Sequence, residues 1–241
     1  MFLDLPDGPQ QLFAAVEPVF SEFFTPEGYR IGGGTVLAGR WGHRHSTDVD
    51  LFAEPTRYQE VVDRRGEELE RALVQRAPGA DPARSWVEPQ HIYLAFGDRE
   101  VTMLPAVRIH RIPEKPIRIR NTQVAVESVE EILGKKLRLR MIGEGAYLIR
   151  DLYDIAAAEI EDPDALRRTL EAEPPRRLQQ VARELRSLGA FEGELIRPVF
   201  PWTVSRIQRA VIQLCEEAAT RQAAPNAGDA GERPGAPEAQ E

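Results

Sequence analysis

The chain holds a single cysteine among 241 residues, Cys215. One thiol excludes an internal disulfide framework and fits a reducing compartment. No run of about eighteen apolar residues occurs, so no segment is expected to span a membrane. The first residues, Met-Phe-Leu-Asp-Leu-Pro-Asp-Gly-Pro, carry an early acid and no basic stretch, unlike a secretory leader. A cytoplasmic protein is expected. There are only four histidines, and His43 and His45 have no further His or Cys at zinc-ligand spacing, so they read as loop residues. Excess positive charge is also missing: a net charge of −8 argues against a general nucleic-acid coat. What is present, 42% hydrophobic and 29% charged residues, is ordinary for a globular chain of one large or two small domains.

The charge is unevenly placed. Residues 105–150 carry ten Lys and Arg against five Glu. Such a stretch either holds an RNA end or a triphosphate, or is a solvated face. Residues 223–241 are mostly Ala, Pro, Gly and Glu with no aromatic, and are expected to be disordered.

The strongest local signal is Gly33-Gly34-Thr35 followed, thirteen residues after the Thr, by Asp48-Val49-Asp50 inside a short apolar run. Glycines let the backbone take positive φ and approach a ligand closely. Free N–H groups opening a helix form an anion site suited to a triphosphate. In a strand the period of two puts Asp48 and Asp50 on one face and Val49 on the other. Two hard carboxylates beside a phosphate cradle are what a pair of Mg²⁺ ions needs, with the phosphates completing the shell.

Around this pattern, Leu12, Ala15, Val16, Val19, Phe20 and Phe23 predict a helix over 9–24. A strand over 29–31 leads into the glycine turn, and a short helix begins at 36–38 with its N-terminus toward the phosphates. A strand over 48–53 precedes a long helix capped by Thr56. Segments 91–96 and 99–104 around Gly97-Asp98 predict a hairpin, and 105–116 an irregular link. Short strands follow at 117–119 and 124–126. Ser128 with Glu131 forms a capping box opening a helix to about Met141. Further helices are expected over 147–160, from Asp162-Pro163, after Pro174-Pro175, and over about 203–221. The predicted class is α+β, with a small mixed twisted sheet and flanking helices over 1–127. A helical bundle over 128–222 would complete a cleft between the halves.

The motif G-G-[ST], a spacer and D-x-D resembles the nucleotidyltransferases of the DNA polymerase β superfamily. The fuller string, G-G-T-x-L-A over 33–38 and G-H-R-x-S-x-D-x-D-L-F over 42–52, resembles the AbiEii/AbiGii-type nucleotidyltransferases, toxins of toxin–antitoxin and phage-abortive systems. A second block agrees: Ile132-Leu-Gly-Lys-Lys136-Leu and Arg150-Asp151-Leu-Tyr-Asp154 resemble that family's K-L helix and its R-D-x-x-D. The resemblance covers about residues 10–160. It implies transfer of NMP from an NTP to an acceptor hydroxyl, a tRNA 3′ end or a protein, by a toxin with a cognate antitoxin. Asp48 and Asp50 would hold Mg²⁺, and Gly33, Gly34 and Thr35 would cradle the β and γ phosphates. Arg44 and Ser46 would contact phosphate or base, or else order the loop. Lys136, with Lys135 a close rival, would neutralise the triphosphate. Asp151, with Arg150 as charge partner, would position or deprotonate the acceptor, or join helices as a buried ion pair. The superfamily's third strand carboxylate has no match in the middle of 100–104, where Glu100 is the nearest acid. Arg140 stands in for an arginine that the family carries further on. Rival readings are a small-molecule (antibiotic) adenylyltransferase and a non-catalytic nucleotide- or RNA-binding regulator.

Overall fold

A computed structural model describes residues 2–25, 27–110, 116–191 and 193–224. The chain begins with α1 (Asp7–Phe24), β1 (Tyr29–Gly32), α2 (Gly33–Trp41), β2 (Val49–Ala53) and α3 (Pro55–Arg76). Strands β3 (Trp86–Val87), β4 (Ile92–Phe96), β5 (Arg99–Pro105), β6 (Pro116–Ile119) and β7 (Thr122–Val126) follow. The rest is helical: α4 (Val129–Gly134), a wide π-type helix over Lys135–Glu144, α5 (Ile149–Glu161), α6 (Pro163–Glu171), α7 (Pro175–Ser187) and α8 (Val204–Ala223). The seven strands form one mixed sheet in the order β3-β4-β5-β2-β1-β7-β6.

The D-x-D strand therefore lies at the centre of the sheet. β2 runs antiparallel to β1 and parallel to β5, which sets Asp50 between Gly32 on one side and Thr102 on the other. Val49, Leu51 and Ala53 are fully buried while Asp50 stays partly open, the alternation expected of a strand with one face on a core and one on a cleft. α1 and α3 pack together, α1 also against β2 and β5 and α3 against β3 and β5. α1 keeps Pro18 in its interior. That residue costs about 3 kcal/mol in a helix. Phe13, Phe20, Phe23 and Phe24 on the same helix are at most 2% exposed. Each contributes about 2 kcal/mol by burial, so packing outweighs the break.

One buried apolar cluster runs from Leu3 to Ala219 and includes side chains of both the sheet and α4–α8. α2 makes the link, packing on β1 and β2 on one side and on α4 and α5 on the other. α7 presents Leu178, Val181, Ala182 and Leu185 inward at helical spacing, where they meet α8.

Several local expectations change. α2 starts at Gly33, three residues before the expected start, because the glycine turn is itself its first turn. α3 is capped by Glu54, whose carboxylate accepts from the Arg57 N–H at 2.9 Å, with Pro55 rather than Thr56 opening the helix. Ser128 does accept from the Glu131 N–H. Glu131 does not return the bond; its carboxylate takes the N–H groups of Ile109 and His110 instead. The helix expected to reach Met141 is α-helical only to Gly134 and then widens. Residues 111–115 of the basic link, and the tail from 225, lie outside the described residues. Among the described residues no helix is long and apolar enough to cross a membrane.

Candidate active site

β1 delivers the chain to Gly33, where φ is +69°. A Cβ there would run into the Asp50 carboxylate, so both the conformation and the space demand glycine. The first turn of α2 has no side-chain cap, which leaves its N–H groups available to an anion beside Asp50. Asp50 Oδ1 accepts from Thr102 Oγ1 at 3.1 Å, and Asp48 Oδ1 from the Glu100 N–H at 3.2 Å. Burial pushes the Asp48 carboxyl above its ordinary range and the Asp50 charge adds to this. Glu100 is raised in the same way, by burial first and then by Asp48 and Asp50.

These three acids share a cleft of about 220 Å³ with Gly34, Arg44, Ser46, Thr102, Lys136 and Arg140. A smaller hollow of about 140 Å³ adjoins the cleft and shares Asp50, Leu104, Lys136 and Arg140 with it; Phe52, Ile132 and Leu139 wall it, and Gly33 and Lys135 reach it. Leu104 and Leu139 are unusually open for their size, at 37% and 44% exposed.

Behind the cleft is a buried charge network. Asp154, fully enclosed, accepts from Arg44 Nε at 2.6 Å and Nη2 at 2.8 Å, hydrogen-bonds His43 Nε2 at 2.7 Å and lies 3.1 Å from Lys136 Nζ. Burial alone would lift this carboxyl; the Arg44 and Lys136 charges, with the hydrogen bonds of Arg44 and His43, hold it well below the carboxylate range. Asp151 is equally enclosed, paired with Lys136 and with Arg140 Nη1 at 2.9 Å. Burial opposes its ionisation too, and Lys136 and Arg140 more than reverse that.

The residues singled out from the sequence thus fall into two sets. Gly34, Arg44, Ser46, Asp48, Asp50 and Lys136 line the cleft, and Gly33 lines the adjoining hollow. Thr35 and Asp151 stand behind the wall. Thr35 is 2% exposed, and its Oγ1 is within donating distance of Ser46 Oγ (2.7 Å) and of the Asp48 carbonyl oxygen. Its hydroxyl ties the loop to α2 rather than facing a phosphate. Asp151, enclosed between two cations with its acidity strengthened, is unsuited to taking a proton from an acceptor and instead holds Lys136 and Arg140 in place. Its charge partners are those two residues, whereas Arg150 is exposed and lines the cleft. The adjacent lysines diverge: Lys136 turns to the cleft, and Lys135 pairs with Glu127 and lies over the Phe52 ring at 3.2 Å. The widened helix serves both directions at once, a common use of π-turns at functional sites.

The helical part of the basic stretch is largely paired with acids of the fold, whereas Arg108, Arg118, Arg120 and Arg150 are exposed. Lys135 meets Glu127, Lys136 and Arg140 meet Asp151, and Arg138 meets Glu173. Sequence reasoning missed Thr102 and the cleft wall formed by Glu194 and Ile196. That wall is irregular chain between α7 and α8, with no periodic signal. It is fastened to the loop before Asp48 by the His45 N–H on the Ile196 carbonyl (2.9 Å) and the Val199 N–H on the His43 carbonyl (2.8 Å). Tyr153 secures the same joint: its hydroxyl donates to the His43 carbonyl at 3.0 Å and accepts from the Phe200 N–H at 3.0 Å.

Paired carboxylates on a central strand, facing a glycine-opened helix and ringed by Lys and Arg, have the layout of a phosphoryl- or nucleotidyl-transfer site. The family described as nucleotidyl transferase AbiEii toxin, type IV toxin–antitoxin system, matches residues 19–201, and the chain belongs to that family. No curated protein matches it in sequence. Among solved structures it is similar to JHP933 from Helicobacter pylori, with 13% identity, a TM-score of 0.52, and coverage of 90% of this chain and 96% of that one. This likeness concerns the fold. A second Helicobacter pylori structure, of a candidate nucleotidyltransferase, has 12% identity and a TM-score of 0.49, covering 90% and 97%.

Proposed function

We propose that the protein is a Mg²⁺-dependent nucleotidyltransferase that moves NMP from an NTP onto an acceptor hydroxyl and acts as the toxin of a toxin–antitoxin pair. The observation that carries the reading is the seating of Asp50 directly against the Gly33 turn, with Asp48 beside it and Lys136 and Arg140 on the same cleft. Family membership supports the reaction class and an antitoxin partner.

The residues fit the metal the reaction class implies. Asp48 and Glu100 are held above their ordinary range by burial and by neighbouring negative charge, a strain that a divalent cation relieves. Among the described residues no group of three or more His, Cys, Asp or Glu is placed to hold a metal ion. Two carboxylates with substrate phosphates and water making up the rest is the usual manner of Mg²⁺ binding. Asp48 and Asp50 would be its ligands, where it would supply charge stabilisation for the triphosphate and polarise the acceptor oxygen.

The chain's own groups perform the remaining work by position and electrostatics. The N–H groups opening α2, with Lys136 and Arg140, draw the β and γ phosphates against the glycine turn. Asp151 and Asp154 keep those cations aimed without being consumed. The base of the NTP lies in the apolar hollow between Leu104 and Leu139. The acceptor oxygen forms a bond to the α-phosphorus, the α–β anhydride bond breaks, and pyrophosphate carries away the electron pair. Glu100, a carboxylate on the same cleft beside Asp48, is placed to accept the hydroxyl proton.

The test is transfer from each α-³²P-labelled NTP, with Mg²⁺, onto total tRNA and cell extract, beside Asp50→Asn. The expected result is label on one acceptor class that disappears in the variant while its melting temperature stays near that of the parent. Equal labelling by Asp50→Asn would show that the site is misplaced.

A further inference from the structure

Of the Lys and Arg side chains that line the cleft, Arg44, Lys136 and Arg140 are all committed to Asp151 or Asp154. Arg150 is different. It is exposed, lines the same cleft, and has neither a hydrogen bond nor an ion pair among the described residues. It stands in the first turn of α5, where the helix dipole disfavours a cation, and Leu148 gives that turn no side-chain cap. Its charge is directed at the cleft acids Asp48 and Glu100 and at no partner in the body of the fold among the described residues.

The Arg150 charge reaches Asp48 and Glu100, and those of Arg44 and Arg140 reach Asp50. In an in-line displacement the attacking and leaving oxygens lie on opposite sides of the phosphorus. With the triphosphate drawn to Gly33, Lys136 and Arg140, the residues of the same cleft left to meet the acceptor include Glu100, Arg150 and Glu194.

We propose that Arg150 anchors the acceptor by gripping the one phosphate next to the attacking hydroxyl of an RNA 3′ end, a role that rests on the nucleotidyltransferase reading above. A guanidinium fork matches a phosphate in two hydrogen bonds. The terminal ribose of an RNA presents a diol beside that phosphate, and exposed Glu194 on the same wall accepts from it. A serine, threonine or tyrosine hydroxyl brings no such anion. Because Lys136 and Arg140 are turned to the triphosphate and Arg44 is held by Asp154, Arg150 is the cation left for the acceptor, and the grip extends to a single phosphate and not along the RNA body.

The experiment measures transfer to a short RNA oligonucleotide carrying either a normal phosphate or a neutral methylphosphonate at its last linkage. Parent, Arg150→Ala and Arg150→Lys are compared. In the parent the methylphosphonate should raise the acceptor KM about tenfold, the loss of one charge-assisted contact. Arg150→Ala should raise it by a similar factor on the normal RNA, lose nothing more to the methylphosphonate, and leave the NTP KM and melting temperature unchanged. Arg150→Lys should recover part of the loss. The slope of log(kcat/KM) against log[salt] should fall by about 0.7 in Arg150→Ala, one phosphate contact on a single strand. Equal losses to the methylphosphonate in parent and Arg150→Ala, or label that moves only onto protein, would overturn the anchor. Absence of transfer to any acceptor by the parent would instead overturn the nucleotidyltransferase reading beneath it.

Discussion

Replacing Asp154 by asparagine tests whether the buried charge network holds the loop before Asp48 to the helical part of the chain. Asp154 Oδ1 receives His43 Nε2 and Arg44 Nε, and Oδ2 receives Arg44 Nη2 and faces Lys136. Whichever way the amide is turned, its NH₂ opposes a donor. At the Oδ2 position it meets both Arg44 and Lys136. At Oδ1 it meets Arg44 Nε, and His43 can adapt only by changing tautomer. The negative charge opposite two buried cations is lost in either case. Breaking one side of a buried ion pair costs about 3–5 kcal/mol. For a domain of this size that corresponds to a drop in melting temperature of about 6–20 °C. Urea unfolding at pH 7 reads the first quantity and calorimetry the second.

The same variant carries a pH signature. Asp154 ionises below the carboxylate range when folded, so its contribution to stability is present above the unfolded value near 4 and is lost as pH falls through the folded one. The gap between parent and Asp154→Asn should therefore be full at pH 7 and narrow in acid. A variant within about 1 kcal/mol of the parent at pH 7, or a gap that widens in acid, would refute the assignment of this carboxylate as the central counter-ion.

Three further outcomes are expected. Gly33→Ala should lower stability by about 1–3 kcal/mol, because φ is +69° and the new Cβ meets Asp50, and should depress nucleotide transfer even where the fold survives. Urea titration and single-turnover labelling check the two effects separately. Burial raises Glu127 to about 7, so the folded chain binds a proton more readily than the unfolded one between about 4.5 and 7, and this group's contribution to stability declines as pH rises through that window. Glu127→Gln should flatten that part of the stability–pH curve, and an unchanged slope would count against it. Lys136→Met should cut kcat/KM for NTP by about 100-fold, as expected for a cation facing the transferring phosphates, whereas Lys135→Met should act mainly on stability. Equal kinetic losses in the two would remove the distinction between them.

The second half of the chain shows why charge in a sequence is a poor guide to surface. Ten cations over 105–150 leave open an RNA-holding face. The fold turns Lys135, Lys136, Arg138 and Arg140 onto Glu127, Asp151 and Glu173, acids that lie 8 to 35 residues away in sequence. Asp151 and Arg150, neighbours in the chain, part company for the same reason: successive helix positions face about 100° apart, so one is sealed in the interior and the other opens on the cleft.

Local chemistry was legible from the sequence alone. The Gly-Gly-Thr turn, the alternation of Asp48 and Asp50, the hairpin around Gly97-Asp98 and the Asp162-Pro163 helix start are encoded within a few residues, where backbone freedom, strand period and capping act. The two motif blocks also identified the family. The tertiary structure alone decided what those residues meet. It set Thr102 against Asp50 by the parallel register of β2 and β5, spent the Thr35 hydroxyl on the loop, and brought Glu194 to the mouth of the site. Such pairings are fixed by packing a continuous core between segments far apart in the chain, and no local pattern records them.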